Sequence, residues 1–186
     1  FIGTNAAGTA PAGNALNGVR IQAGANLNYI GTDGDGVNDA AERNVISSNS
    51  VGVFLYATDG NVVAGNLIGT NASGTAANPN THGVALQDSP NNTIGGTVAA
   101  ARNVVSGNTD AGITIYGSGS TGNIIQGNDV GTDVTGTQDL GNNDYGISMC
   151  GGASNNIIGT PDQPNVIAYN NGNGVVVVGD GAIGNT

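Results

Sequence analysis

The chain repeats itself, and no other feature constrains its fold so strongly. The phrase Ile2-Gly-Thr-Asn-Ala-Ala-Gly-Thr9 returns as Ile68 to Thr75 and, more loosely, as Val130 to Thr137. Arg43-Asn-Val-Ile-Ser-Ser-Asn49 returns as Arg102 to Asn108 and again as Pro164 to Asn170. Asn66 and Asn128, Gly112 and Gly174, and Gly122 and Gly184 are each 62 residues apart, so the 186 residues hold about three such units. A fixed period of this size marks a solenoid or array, whose units bury their apolar faces only against their neighbours.

Each unit divides into two coils. A glycine followed by an alternating apolar pair occurs six times: Gly18-Val-Arg-Ile21, Gly52-Val-Phe-Leu55, Gly83-Val-Ala-Leu86, Gly112-Ile-Thr-Ile115, Gly146-Ile-Ser-Met149 and Gly174-Val-Val-Val177. Period-2 alternation places one apolar pair inward and the intervening residues outward. Two further strands per coil carry an Asn-x-apolar signature, one set beginning at Asn28, Asn61, Asn92, Asn123 and Asn156, the other at Asn44, Asn66, Asn103, Asn128 and Asn165. No stretch has a helical period, and identical phrases one coil apart are best satisfied by parallel stacking at about 4.8 Å. The sequence therefore predicts an all-β parallel β-helix of five to six coils with three short strands each. The asparagines share parity with inward apolar residues, and a buried amide must find partners. Stacked ladders along the corners supply them. The six glycines are expected to permit a positive φ at the bend.

Composition narrows the function. The chain has no lysine, three arginines and thirteen acids, for a net charge of −10; a nucleic-acid binder needs a basic stripe instead. Its longest apolar run, Val175 to Val178, is too short to span a bilayer. One cysteine, Cys150, makes neither an internal disulfide nor a CxxC metal pair.

The phrases Arg-Asn-Val-Ile-Ser-Ser-Asn, Gly-Asn-Leu-Ile-Gly-Thr-Asn-Ala-Ser-Gly-Thr and Asn-Asn-Thr-Ile-Gly-Gly-Thr resemble right-handed parallel β-helix repeats of the pectin-lyase-like superfold. They are most similar to repeats of large secreted or surface-exposed bacterial proteins. The right-handedness and an extracellular or cell-surface location are what this resemblance implies. It does not choose a function, because that superfold hosts lyases, hydrolases, adhesins and passive stalks. Both ends fall in mid-coil, so residues 1–186 are expected to form a single β-helix segment of a longer chain, or one that associates end to end or laterally.

Thr32-Asp-Gly-Asp-Gly-Val-Asn-Asp-Ala-Ala-Glu42 is the sharpest local motif. Acids at alternate positions around a glycine turn can converge on a hard cation such as calcium. The stretch resembles Asp-rich calcium loops of thrombospondin type-3 and EF-hand-like repeats. That resemblance implies carboxylate ligands from Asp33, Asp35 and Asp39, a carbonyl from Val37 and a closing ligand from Glu42. Gly31 stands where the pattern wants a first acid, and a solvated acidic turn is the alternative.

The resemblance implies that an enzyme of this kind would need a calcium-bound acid cluster with a basic proton acceptor, or several acids together, on one face such as the outward face of the first strand. Here that face reads Arg20 and Gln22, Phe54 and Tyr56, Ala85 and Gln87, Thr114 and Tyr116, Ser148 and Cys150, Val176 and Val178, with no carboxylate. Catalysis is not expected. Arg20, Phe54, Tyr56 and Tyr116 offer a surface for a polysaccharide or protein partner, since aromatic faces stack on sugar rings; loop cover is the other use for them. His82 is expected to be an exposed loop histidine. The loops Gly3 to Asn17, Gly69 to His82 and Gly131 to Tyr145 are expected either to pack over the helix side or to meet a partner. The function expected is a non-enzymatic spacer, adhesin stalk or filament-forming segment, calcium-braced at the acidic loop. A carbohydrate-binding or carbohydrate-active β-helix is the alternative, and a trimeric spike is a third class.

Overall fold

The computed structural model describes residues 1–186. Its strands form three parallel sheets that run the length of one stack of coils. The first sheet holds six strands, Asn17–Gln22, Val51–Tyr56, His82–Gln87, Ile113–Tyr116, Ile147–Cys150 and Val175–Val177, each paired only with its counterparts one coil away. The second holds Tyr29–Gly31, Val62–Ala64, Thr93–Gly95, Ile124–Gln126 and Ile157–Ile158. The third holds Val45–Ile46, Leu67–Ile68, Val104–Val105, Asp129–Val130 and Val166–Ile167. Every inter-strand pairing in the three sheets is parallel, as stacking of like phrases requires. Crossovers that return a chain to a parallel partner are right-handed in about 98% of known cases.

Alternation decides what each sheet buries. In the first sheet Val53, Leu55, Val84, Leu86, Ile113 and Ile115 are fully buried, and they meet Val63, Ile94 and Ile125 of the second sheet and Ile46, Ile68, Val105 and Val130 of the third. Burying one such side chain is worth about 1.5–3 kcal/mol, and the core is a stack of layers along the axis, each coil adding side chains from all three sheets. Only two helical turns occur, Asp39–Glu42 and Ala99–Ala101, both in the connection from second to third sheet.

The six glycines ahead of the first sheet do not take a positive φ. The first five, Gly18, Gly52, Gly83, Gly112 and Gly146, are glycines because there is no room for a Cβ. One on Gly52 would lie 2.6 Å from the carbonyl oxygen of Gly83 and 3.1 Å from the Asn80 amide nitrogen; one on Gly146 would lie 2.5 Å from the oxygen of Gly174. Positive φ belongs instead to the corner glycines that end or directly follow the strands of the second and third sheets, such as Gly31, Gly69, Gly95 and Gly131.

The three long loops pack over the outer face of the third sheet. Ala72 and Val134 cover Val45, Leu67 and Val104, and the loops bond to each other in a column, Ala72 N–H to Gly8 O and Val134 N–H to Gly74 O, both 2.9 Å. Each is pinned internally by the side-chain oxygen of Asn5, Asn71 or Asp133, which accepts backbone N–H bonds four and five residues on.

Candidate functional site

Three asparagine ladders brace the corners. In the first, amide Nδ2 of each residue donates to Oδ1 of the next through Asn28, Asn61, Asn92, Asn123 and Asn156, ending on Asn185, at 2.9–3.3 Å. The second runs Asn44, Asn66, Asn103, Asn128, Asn165 at 2.9–3.1 Å. The third, which sequence reasoning missed, runs Asn14, Asn49, Asn80, Asn108, Asn142, Asn170 at 2.8–3.1 Å. Its signal was present: an asparagine stands three or four residues ahead of each of the six glycines. The glycines and the third ladder are two halves of one device, since the bare Cα lets the amide column approach. All ladder bonds point the same way along the axis, and spare amide hydrogens go to backbone carbonyls such as Ala64 O and Ile46 O.

The acidic loop is partly convergent. Carboxylate oxygens of Asp33, Asp39 and Glu42 come within 4.8 Å of one another. Asp39 accepts a 2.6 Å bond from the Thr32 hydroxyl, and Glu42 accepts from the Asp33 N–H at 3.3 Å. Asp35 lies outside this trio; its Oδ1 accepts from the Val37 N–H at 2.7 Å, and Val37 is exposed. The trio is carboxylate oxygen only, a donor set suited to a hard divalent cation.

On the outer face of the first sheet, Phe54 and Tyr56 stack with ring centres 6.0 Å apart, and the Arg20 guanidinium lies 5.4 Å from the Phe54 ring and 5.9 Å from that of Tyr56. Register brings them together, since Arg20 pairs with Phe54 and Gln22 with Tyr56. Tyr116 stands two coils on, beyond small Ala85, and donates to Gln87 Oε1 at 2.6 Å. Burial, reinforced by Asp88, raises its pKa. Between Phe54 and Tyr116 lies a recess of about 490 Å³ that His82 also lines. His82 is not a loop residue: it opens the strand His82–Gln87, partly buried, with Nε2 3.5 Å from Asp110 Oδ2. No carboxylate joins the outward row of this sheet.

One carboxylate that sequence reasoning did not single out is fully buried. Asp129 replaces the aliphatic residue of the column Val45, Leu67, Val104, Val166 on the third sheet. Arg102 Nη1 reaches its Oδ2 at 3.3 Å, while Oδ1 has no hydrogen-bond partner. Burial raises its pKa, against the lowering effect of Arg102.

Fold and ladders together define a parallel β-helix repeat protein. The family model of the periplasmic copper-binding protein NosD matches residues 12–182, and the chain belongs to the NosD family. No curated relative and no solved structure matches it. The family is described as periplasmic, outside the cytoplasm, and its description names binding rather than catalysis. Thiolate and thioether donors select Cu(I), and imidazole suits copper in either state. The chain has one histidine, one cysteine and one methionine. His82 is paired with Asp110, Met149 is 1% exposed inside the core, and Cys150 lies on the sheet face. Neither His82 nor Cys150 joins a group of three histidine, cysteine or carboxylate ligands.

Proposed function

We propose that this chain is a non-enzymatic structural module of an extracytoplasmic protein: a stiff spacer, stalk or filament-forming segment, calcium-braced at Asp33, Asp39 and Glu42, whose solenoid runs on into further coils or a second copy. The observation that carries this reading is the economy of the repeat. Side chains that recur in every coil are spent on stacking, in the core or in the three ladders, and the outward row that bears catalytic groups in β-helix enzymes has no carboxylate. Extracellular or cell-surface placement is part of the same proposal. The test is negative-stain electron microscopy with calcium and with chelator. Unbranched rods or fibres support a spacer or filament. Compact particles that cleave an acidic polysaccharide would overturn it.

A second reading rests on the Arg20, Phe54 and Tyr56 cluster with Tyr116 nearby: a carbohydrate-binding β-helix, sugar rings lying on the aromatic faces. Loss of binding to a glycan on Tyr56→Ala would select it.

A further inference from the structure

We infer that this NosD-family coil stack builds no copper site from its own nitrogen and sulfur donors, so that the cation it can hold is a hard one. The argument is geometric. Register aligns Gln87 with Tyr116 and Tyr116 with Cys150, which separates His82, at the start of the strand that ends in Gln87, from Cys150 by five residues along the strand and two coils across. At about 3.3 Å per residue and 4.8 Å per coil, the imidazole and the thiol start roughly 19 Å apart. A copper ion bonds its ligands at about 2 Å, the range of metal–nitrogen and metal–sulfur bonds, so no side-chain rotation closes that gap. Met149 is next to Cys150 in sequence, but strand alternation sends it to the opposite face, among the core residues Ile115 and Ile147. Rotating its sulfur outward would open the core. The three soft donors therefore stand singly, and a single histidine or thiol does not retain copper against a chelator. The remaining convergent group is made of carboxylates, whose preference is for calcium-like ions rather than Cu(I).

The experiment is a copper titration of the purified chain against a competing chromophoric chelator, with Cu(I) under anaerobic conditions and with Cu(II) in air. His82→Ala and Cys150→Ser are run in parallel, and circular dichroism confirms that each variant folds. The expected result is that the chelator keeps all the Cu(I) and that neither substitution changes either curve. Nitrogen hyperfine lines are then absent from the Cu(II) electron paramagnetic resonance spectrum. One equivalent of copper withheld from the chelator overturns the inference. If either substitution abolishes that retention, it identifies the ligand; if neither does, the donors lie elsewhere in the chain and the inference fails equally.

Discussion

The carbonyl oxygen of Gly112 lies directly against Gly83: a Cβ on Gly83 would stand 2.5 Å from it and 3.0 Å from the Asn108 amide nitrogen. Both obstacles are backbone or ladder atoms of the next coil, held by the repeat itself. Gly83→Ala should therefore destabilise the chain by about 1–3 kcal/mol, the usual cost of overpacking. Gly174→Ala is the matched control. It ends the same column, where the nearest atom is Ile167 Cγ2 at 3.5 Å, and it should shift stability by no more than about 0.5 kcal/mol. Thermal unfolding of the two variants side by side checks both numbers. Equal losses would show that backbone entropy, not the close approach, selects glycine here.

The third ladder makes a sharper demand, because a middle rung must donate and accept at once. Asn108 accepts from Asn80 Nδ2 and donates to Asn142 Oδ1 at 2.8 Å, and it is 1% exposed. Asn108→Ala removes the acceptor shared by the Asn80 backbone N–H and Asn80 Nδ2, while Asn142 Oδ1 keeps only the backbone N–H of residue 108; an unmet buried donor costs about 1–3 kcal/mol. Asn108→Asp keeps the acceptor and loses the donor at neutral pH, while a protonated carboxyl regains one. The Asp variant should recover stability relative to wild type as pH falls toward 4, and the Ala variant should not. Chemical denaturation at pH 7 and pH 4 reads the difference.

Much of the fold was legible because parallel stacking asks each coil for the same residue at the same corner, so ladder and core positions recur in the sequence. What escaped was set by contacts between coils rather than within them. Gly52 is read from its own neighbours as a bend, and only the oxygen of Gly83 above it reveals a steric role. Asn80 and Asn142 sit in loops whose text differs, although their amides fall into one column. Of the acidic loop, the trio Asp33, Asp39 and Glu42 converges because the turn Asp39–Glu42 folds back toward Thr32; Asp35 looks the same in sequence but points to Val37. Asp129 reads as one more strand residue until the loop from Gly131 to Tyr145 is laid over it.

That buried aspartate carries a pH signature. Its folded pKa is raised, so the folded state holds a proton that the unfolded state releases, and this group lowers stability as pH rises from the ordinary carboxylate value through the folded one. Asp129→Asn removes the charge at every pH and leaves Arg102, which is half exposed, in water. The thermal midpoint of the variant should gain on wild type between pH 4 and pH 7. Asp133 beside it runs the other way: the Thr135 hydroxyl holds its pKa down, so its contribution is lost as pH falls. Comparing variant with wild type at each pH cancels that opposing term. A gap that stays constant with pH would mean that the Arg102 pairing offsets the burial of Asp129.

The last prediction separates a braced acidic loop from a merely solvated one. A cation that binds only the folded chain stabilises it by mass action, about 2.7 kcal/mol at a hundredfold excess over the dissociation constant. Calcium should therefore raise the thermal midpoint of the wild type, and chelator should reverse the gain. Glu42→Gln removes one carboxylate of the trio while keeping its shape, and should abolish most of the response. Asp35→Asn is the discriminating partner, because its Oδ1 already serves the Val37 N–H and an amide oxygen can do the same. The convergent trio predicts a calcium response nearly intact in Asp35→Asn. If that variant loses calcium as fully as Glu42→Gln does, the loop closes around the ion with Asp35 included, as the EF-hand-like resemblance implies. If calcium leaves the wild-type midpoint unmoved, the carboxylates are a solvated turn and the brace must be discarded.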